Sequence, residues 1–130
     1  MMEQLLVRLK FWGAGAGLLL AGLLGGADTL LYALACFTVA DFLTGLIKAV
    51  VCKELRSERM FIGGLKKLLI FVIVAVAVTL DRLLPDSGVA FRSLTIGYYI
   101  AGEGLSILEN AAACGVPLPE KLKSVLAGLK

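Results

Sequence analysis

The chain has 130 residues, 59% of them hydrophobic and 18% charged, with a net charge of +3, and its mean hydropathy of +0.93 is far above that of an ordinary soluble domain. Histidine is absent and the three cysteines, Cys36, Cys52 and Cys114, are widely spaced, which removes the usual zinc ligands and catalytic bases. This composition predicts an all-α integral membrane protein of three to four transmembrane helices plus a short cytoplasmic amphipathic C-terminal helix. It forms a single membrane domain over residues 1–130, with no cofactor, no metal and no nucleic-acid partner expected.

The first apolar segment, about 11–26, follows Arg8 and Lys10. A hydrocarbon core of roughly 30 Å takes about 20 helical residues, so this segment is short for a span. The basic residues before it and Gly25-Gly26-Ala27 after it also fit a secretory signal. Gly13, Gly17, Ala21 and Gly25 recur every four residues, however. Such a small-residue stripe lets helix backbones approach closely in lipid, and the segment is expected to stay as a packing helix.

The second segment, about 29–52, carries Asp41 and Lys48 seven residues apart, with Thr44 and Gly45 beside them. At about 100° per residue these lie on nearly one face. Ionisable groups inside a span cost a few kcal/mol each and normally face a bundle interior, an aqueous path or a partner. A basic connection follows, with Lys53, Arg56, Arg59, Lys66 and Lys67, and leads into a third segment at about 66–84.

The fourth segment, about 89–114, places Arg92, Tyr99, Glu103, Ser106 and Asn110 in one narrow sector, with Glu109 pointing away from it. If the second and fourth spans run the same way, Asp41 and Glu103 share a depth and Lys48 lies nearer Glu109, so cross-helix ion pairs between them are candidates. Pro117 and Pro119 end this segment. The tail, about 118–130, sets Leu122, Val125, Leu126 and Leu129 opposite Lys121, Lys123 and Lys130, an amphipathic helix suited to a membrane surface.

With four spans, every flanking basic residue except Arg82 falls on one side, and the positive-inside rule puts both termini in the cytoplasm. The polar stripes admit two readings. Their charges pair within a closed monomer, or Asp41, Glu103, Ser106 and Asn110 line a water-filled path inside a homo-oligomer. Catalysis finds no support, since no nucleophile with a base, phosphate loop or metal cluster accompanies these residues.

Asp41-Phe42-Leu43-Thr44-Gly45, Gly64-Leu65-Lys66-Lys67, Leu80-Asp81, Tyr98-Tyr99, the run Glu103-Gly104-Leu105-Ser106-Ile107-Leu108-Glu109-Asn110 and Gly115-Val116-Pro117-Leu118-Pro119 follow one another in fixed order. In order and spacing this resembles the phage lysis and toxin-secretion holin family, over about residues 38–126. The resemblance implies a phage or prophage protein of the bacterial inner membrane. Such a protein accumulates harmlessly and then oligomerises into lesions that release an endolysin or, in some relatives, a toxin. It implies motif positions at Asp41, Lys66, Lys67, Glu103, Glu109 and Asn110 and no catalytic residue. The alternatives are a small four-helix ion channel or transporter using Asp41 or Glu103, and a membrane adaptor acting through the loop Lys53–Lys67 and the tail.

Overall fold

Turns rich in glycine, proline or charge at 24–28, 52–56, 84–90 and 114–119 divide the apolar sequence into helices. A computed structural model of the chain describes residues 1–128 as α1 (Met2–Leu23), α2 (Thr29–Val51), α3 (Ser57–Leu83), α4 (Phe91–Ala113) and α5 (Glu120–Gly128). Leu129 and Lys130 of the expected tail lie outside the described residues, as do the side chains of Leu126 and Ala127. Strands are absent among the described residues.

Helices α1, α2 and α3 are each long and apolar enough to cross a membrane. α4 matches them in length but carries Arg92, Glu103, Glu109 and Asn110. Both α1 and α3 begin nine residues before the apolar segments expected at 11 and 66. Apolarity marks only the part of a helix that meets lipid; the extra turns keep charged residues such as Glu3, Glu58 and Arg59 exposed while the backbone bonding continues.

Three helix ends share one device. After α1, Gly26 N–H donates to Ala21 O (2.7 Å) and Gly25 N–H to Gly22 O (3.2 Å), with Gly25 at φ +83°. The same crossed pair closes α4 through Gly115 and Val116, and α2 through Lys53 and Glu54. This arrangement needs a left-handed residue just past the helix, normally glycine. Lys53 takes that position at φ +57°.

α4 lies between α2 and α3 and packs on both, with its strongest packing against α2. α2 and α4 run parallel: their first residues meet through Asp28 and Arg92, and their later turns through Asp41 and Asn110. α3 runs opposite to both. An apolar core of Leu34, Ile70, Val74, Val78 and Ile96, flanked by Leu24, Phe71, Tyr99 and Ile100, fills the half of the bundle nearest the 24–28 and 84–90 turns.

α1 stands apart. No residue of α1 is buried, and a side chain added at Gly13 or Gly17 would meet nothing within 4 Å. Of the expected stripe, Gly13 and Gly17 pack on no helix of this chain, whereas Gly25 lies against Arg92 and Val78. Gly25 is also not on the helix face at all, because the turn that ends α1 begins before it.

Candidate functional site

Charges drawn into a bundle interior must find one another, and three nearly buried ones do so here. Lys67 Nζ on α3 donates to Asp41 Oδ2 on α2 at 2.6 Å and to Glu103 Oε2 on α4 at 2.7 Å. The three side chains are only 10–19% exposed. Each lies ten residues from the end of its helix on the 52–56 side, at Val51, Ser57 and Ala113, or about 15 Å at the rise of an α-helix. One ammonium thus clasps two carboxylates from two other helices, well inside the bundle.

Further polar groups extend the clasp. Asn110 Nδ2 donates to Asp41 Oδ1 at 3.1 Å and to Thr44 Oγ1 at 3.0 Å, and Thr44 Oγ1 donates to the carbonyl of Asp41. Thr38, buried one turn away, returns its hydroxyl to Leu34 O at 2.6 Å. No buried side-chain nitrogen or oxygen among the described residues lacks a partner, as a low-dielectric site demands.

A cleft of about 230 Å³ runs from Arg59 and Met60, near the start of α3, down to Asp41 and Lys67, past Gly45, Ser106 and Asn110. Its mouth widens into a second recess of about 180 Å³ lined by Lys48, Glu54, Arg56 and Arg59. Beyond the clasp the apolar core begins. The bundle is therefore polar and open in one half, apolar and filled in the other.

The filled half is closed at its far end by Arg92. Its Nε donates to Leu24 O at 2.6 Å, Nη2 to Gly26 O at 3.0 Å, and Nη1 and Nη2 grip the carboxylate of Asp28 at 2.8 and 3.0 Å. Asp28 also accepts from Leu31 N–H at 3.0 Å, capping α2. Arg92 and this cap hold the Asp28 carboxyl well below the usual carboxylate range. Asp81, from the end of α3, accepts Phe91 N–H (2.7 Å) and Arg92 N–H (3.0 Å) and so caps α4 from another helix. A Cβ on Gly25 would sit 2.6 Å from Arg92 Nε.

The residues singled out in the sequence fall into distinct places. Asp41, Thr44, Glu103 and Asn110 belong to the clasp network, and Ser106 lines the cleft. Tyr99 packs on the apolar core and edge-on to Tyr98 at 5.2 Å. Lys48 lines the mouth while Glu109 is exposed, and no ion pair joins them among the described residues. Lys53, Arg56, Arg59, Lys66 and Lys121 are exposed, and Lys123 pairs with Glu120 at 3.5 Å.

Lys67 is the correction. Counted among the basic flanking residues, it lies ten residues inside α3 and carries the clasp. The signal was in the spacing: Lys67, Ile70, Val74, Ala77 and Val78 share the buried face of α3, whereas Lys66 falls off it. The capping role of Asp81 and the pairing of Asp28 with Arg92 carry no such signal, because each joins residues distant in sequence.

The comparisons with known proteins agree with this architecture. Residues 18–130 match the Bacteriophage holin family. An uncharacterized 14.9 kDa protein of Clostridium perfringens is 45% identical over 98% of this chain and 97% of its own. An uncharacterized protein of Listeria monocytogenes is 38% identical over 92% of this chain and 85% of its own. A protein of Bacillus phage phi105 named a probable holin is 44% identical over 62% of this chain and 59% of its own. No solved structure matches. With most of its length inside the family match and with three helices built to cross a bilayer, the chain is a multi-pass membrane protein that belongs to the bacteriophage holin family.

Proposed function

We propose that this protein forms lesions in the bacterial cytoplasmic membrane as a homo-oligomer, with both termini cytoplasmic, and so releases an endolysin or a toxin. The observation that carries the reading is the clasp of Asp41, Lys67 and Glu103 well inside a bundle whose polar cleft reaches it from one side only. Family membership supports a role without catalysis.

The mechanism follows from where these charges find solvation. In the closed bundle three ionised groups solvate one another, an arrangement tolerable in lipid only while all three stay together. In a crowded assembly the cleft-facing sides of α2, α3 and α4 become the wall of a wet lesion, and water replaces the clasp. The same residues thus hold the monomer closed and make the assembled wall wettable. Opening is favoured when neighbours supply the helix contacts that the monomer gives up.

Inducible expression in a bacterium, with and without a cytoplasmic endolysin lacking an export signal, tests this reading. An abrupt, timed loss of membrane potential, with lysis only when the endolysin is present, is the expected result. Paired neutralisation in D41N/E103Q should shift the onset; unchanged timing and unchanged lesions would sink the role given to the clasp. The cleft ending on Asp41 also favours a second reading, a small ion channel, which would show as a steady selective conductance with growth continuing.

A further inference from the structure

The strongest feature that lesion formation does not use is the exterior of the cleft. Lys48, Arg56 and Arg59 surround its mouth with one carboxylate, Glu54, among them. None of the four makes an ion pair among the described residues. Three cations converge on a recess of about 180 Å³ at the level where α2 ends and α3 begins, which is headgroup depth.

On the lipid side of the same seam, between α2 and α3, lies an apolar groove of about 280 Å³ lined by Thr38, Val39, Phe42, Gly64, Leu68 and Phe71. The two features are continuous through the cleft, since Phe42 and Lys67 line both cleft and groove, and Gly45 and Arg59 line both cleft and mouth. From Ser57 to Phe71 the helix rises about 21 Å. One leaflet, half of a bilayer of roughly 40–45 Å including headgroups, has the same depth.

We propose that the mouth and groove together form a site for one anionic phospholipid, with its phosphodiester among Lys48, Arg56 and Arg59 and an acyl chain against Phe42, Gly64 and Phe71. The chemistry selects this occupant on both counts. The surplus of positive charge favours a lipid with net negative charge over a zwitterionic one, whose own amine would meet the same cations. The groove below takes a hydrocarbon chain at the depth where one already lies. Gly64 leaves the space: a Cβ there would meet only Phe42 Cε2, at 3.9 Å. Bound in this way, the lipid lies against the two helices that present Asp41 and Lys67.

Native mass spectrometry of the purified full chain from mixed phosphatidylglycerol and phosphatidylcholine micelles tests the site without reference to lysis. One retained phosphatidylglycerol is expected. K48Q/R56Q/R59Q should weaken that retention on the order of 100-fold, at about fivefold per charge, with helicity unchanged because these side chains sit at the bundle surface. G64L should displace the acyl chain and also lower retention. Equal retention of phosphatidylcholine, or full retention by the triple variant, would overturn the proposal. So would competition by soluble glycerol phosphate as effective as that of the lipid, which would mean that a free phosphate suffices. A shift in oligomer distribution by G64L with lipid retention unchanged would assign the groove to a second copy and overturn it too.

Discussion

The two halves of the α2–α3–α4 bundle are held by different forces. Toward the 24–28 turn, Leu34, Val74 and Ile96 are fully buried, and Arg92 and Asp81 fasten the helix starts with side chain to backbone hydrogen bonds. Toward the 52–56 turn the interior is a cleft, and the contacts that count are ionic. In lipid, apolar contact gains little over contact with acyl chains. The filled half therefore relies on close packing and caps, while the open half relies on three charges that pair with one another.

Removing the cation should break the open half with the largest effect. Lys67→Met leaves two nearly buried carboxylates without their cation, and breaking such a buried pair costs about 3–5 kcal/mol. Denaturant unfolding of the full chain in micelles should show this loss, and K67M/D41N/E103Q should recover most of it, since no charge is then left uncompensated. A K67M protein as stable as the parent would mean that the open half is held by something other than the clasp.

Next in size is a change at the lid of the filled half. Gly25→Ala forces a side chain into a left-handed residue, at about 1–2 kcal/mol, and drives its Cβ against Arg92. Stability should fall, and the amide of Gly26 should exchange with solvent faster while the amide of Asn110 keeps its protection. A smaller effect of opposite sign is expected at the open end. Lys53→Gly relieves a left-handed lysine where the helix-ending turn favours glycine, for a gain of about 1 kcal/mol in the same unfolding assay.

The smallest effect is one of pH and belongs to the lid. Asp28 titrates below the usual aspartate value of about 3.9 because Arg92 and the Leu31 amide favour its ionised form. A depressed folded value means that its contribution to stability is complete above about pH 4 and fades as the pH falls further. Asp28→Asn should flatten that acid limb by lowering stability slightly at neutral pH, with the two proteins converging as the pH falls. An unaltered limb would show that the Arg92 grip adds nothing measurable at an exposed carboxylate.

Much of this architecture was legible in the sequence, and the reasons differ by element. The four long helices follow from long, mostly apolar runs bounded by turns, and the shared level of Asp41 and Glu103 follows from helix arithmetic once α2 and α4 are taken as parallel. The partner of those carboxylates was missed because Lys66-Lys67 before an apolar run looks like an interfacial anchor. Only the face it shares with Ile70 and Val74 distinguishes Lys67. Helix ends were hard to place for a related reason, since hydropathy reports contact with lipid, whereas a helix continues for as long as its hydrogen bonds and caps allow. The small-residue stripe of α1 is present in the sequence, but its members Gly13 and Gly17 meet no helix of their own chain.

The grip of Arg92 on Asp28 also sets an order of events during synthesis. The two residues are 64 positions apart, so a ribosome adding about 5–20 residues per second makes the arginine several seconds after the aspartate. Throughout that interval the first helical hairpin exists without its fastener. The turn between α1 and α2 is then complete in sequence but lacks the side chain that ties it to α4. A chain interrupted before Arg92 would carry this turn without the guanidinium that binds its carbonyls and its carboxylate.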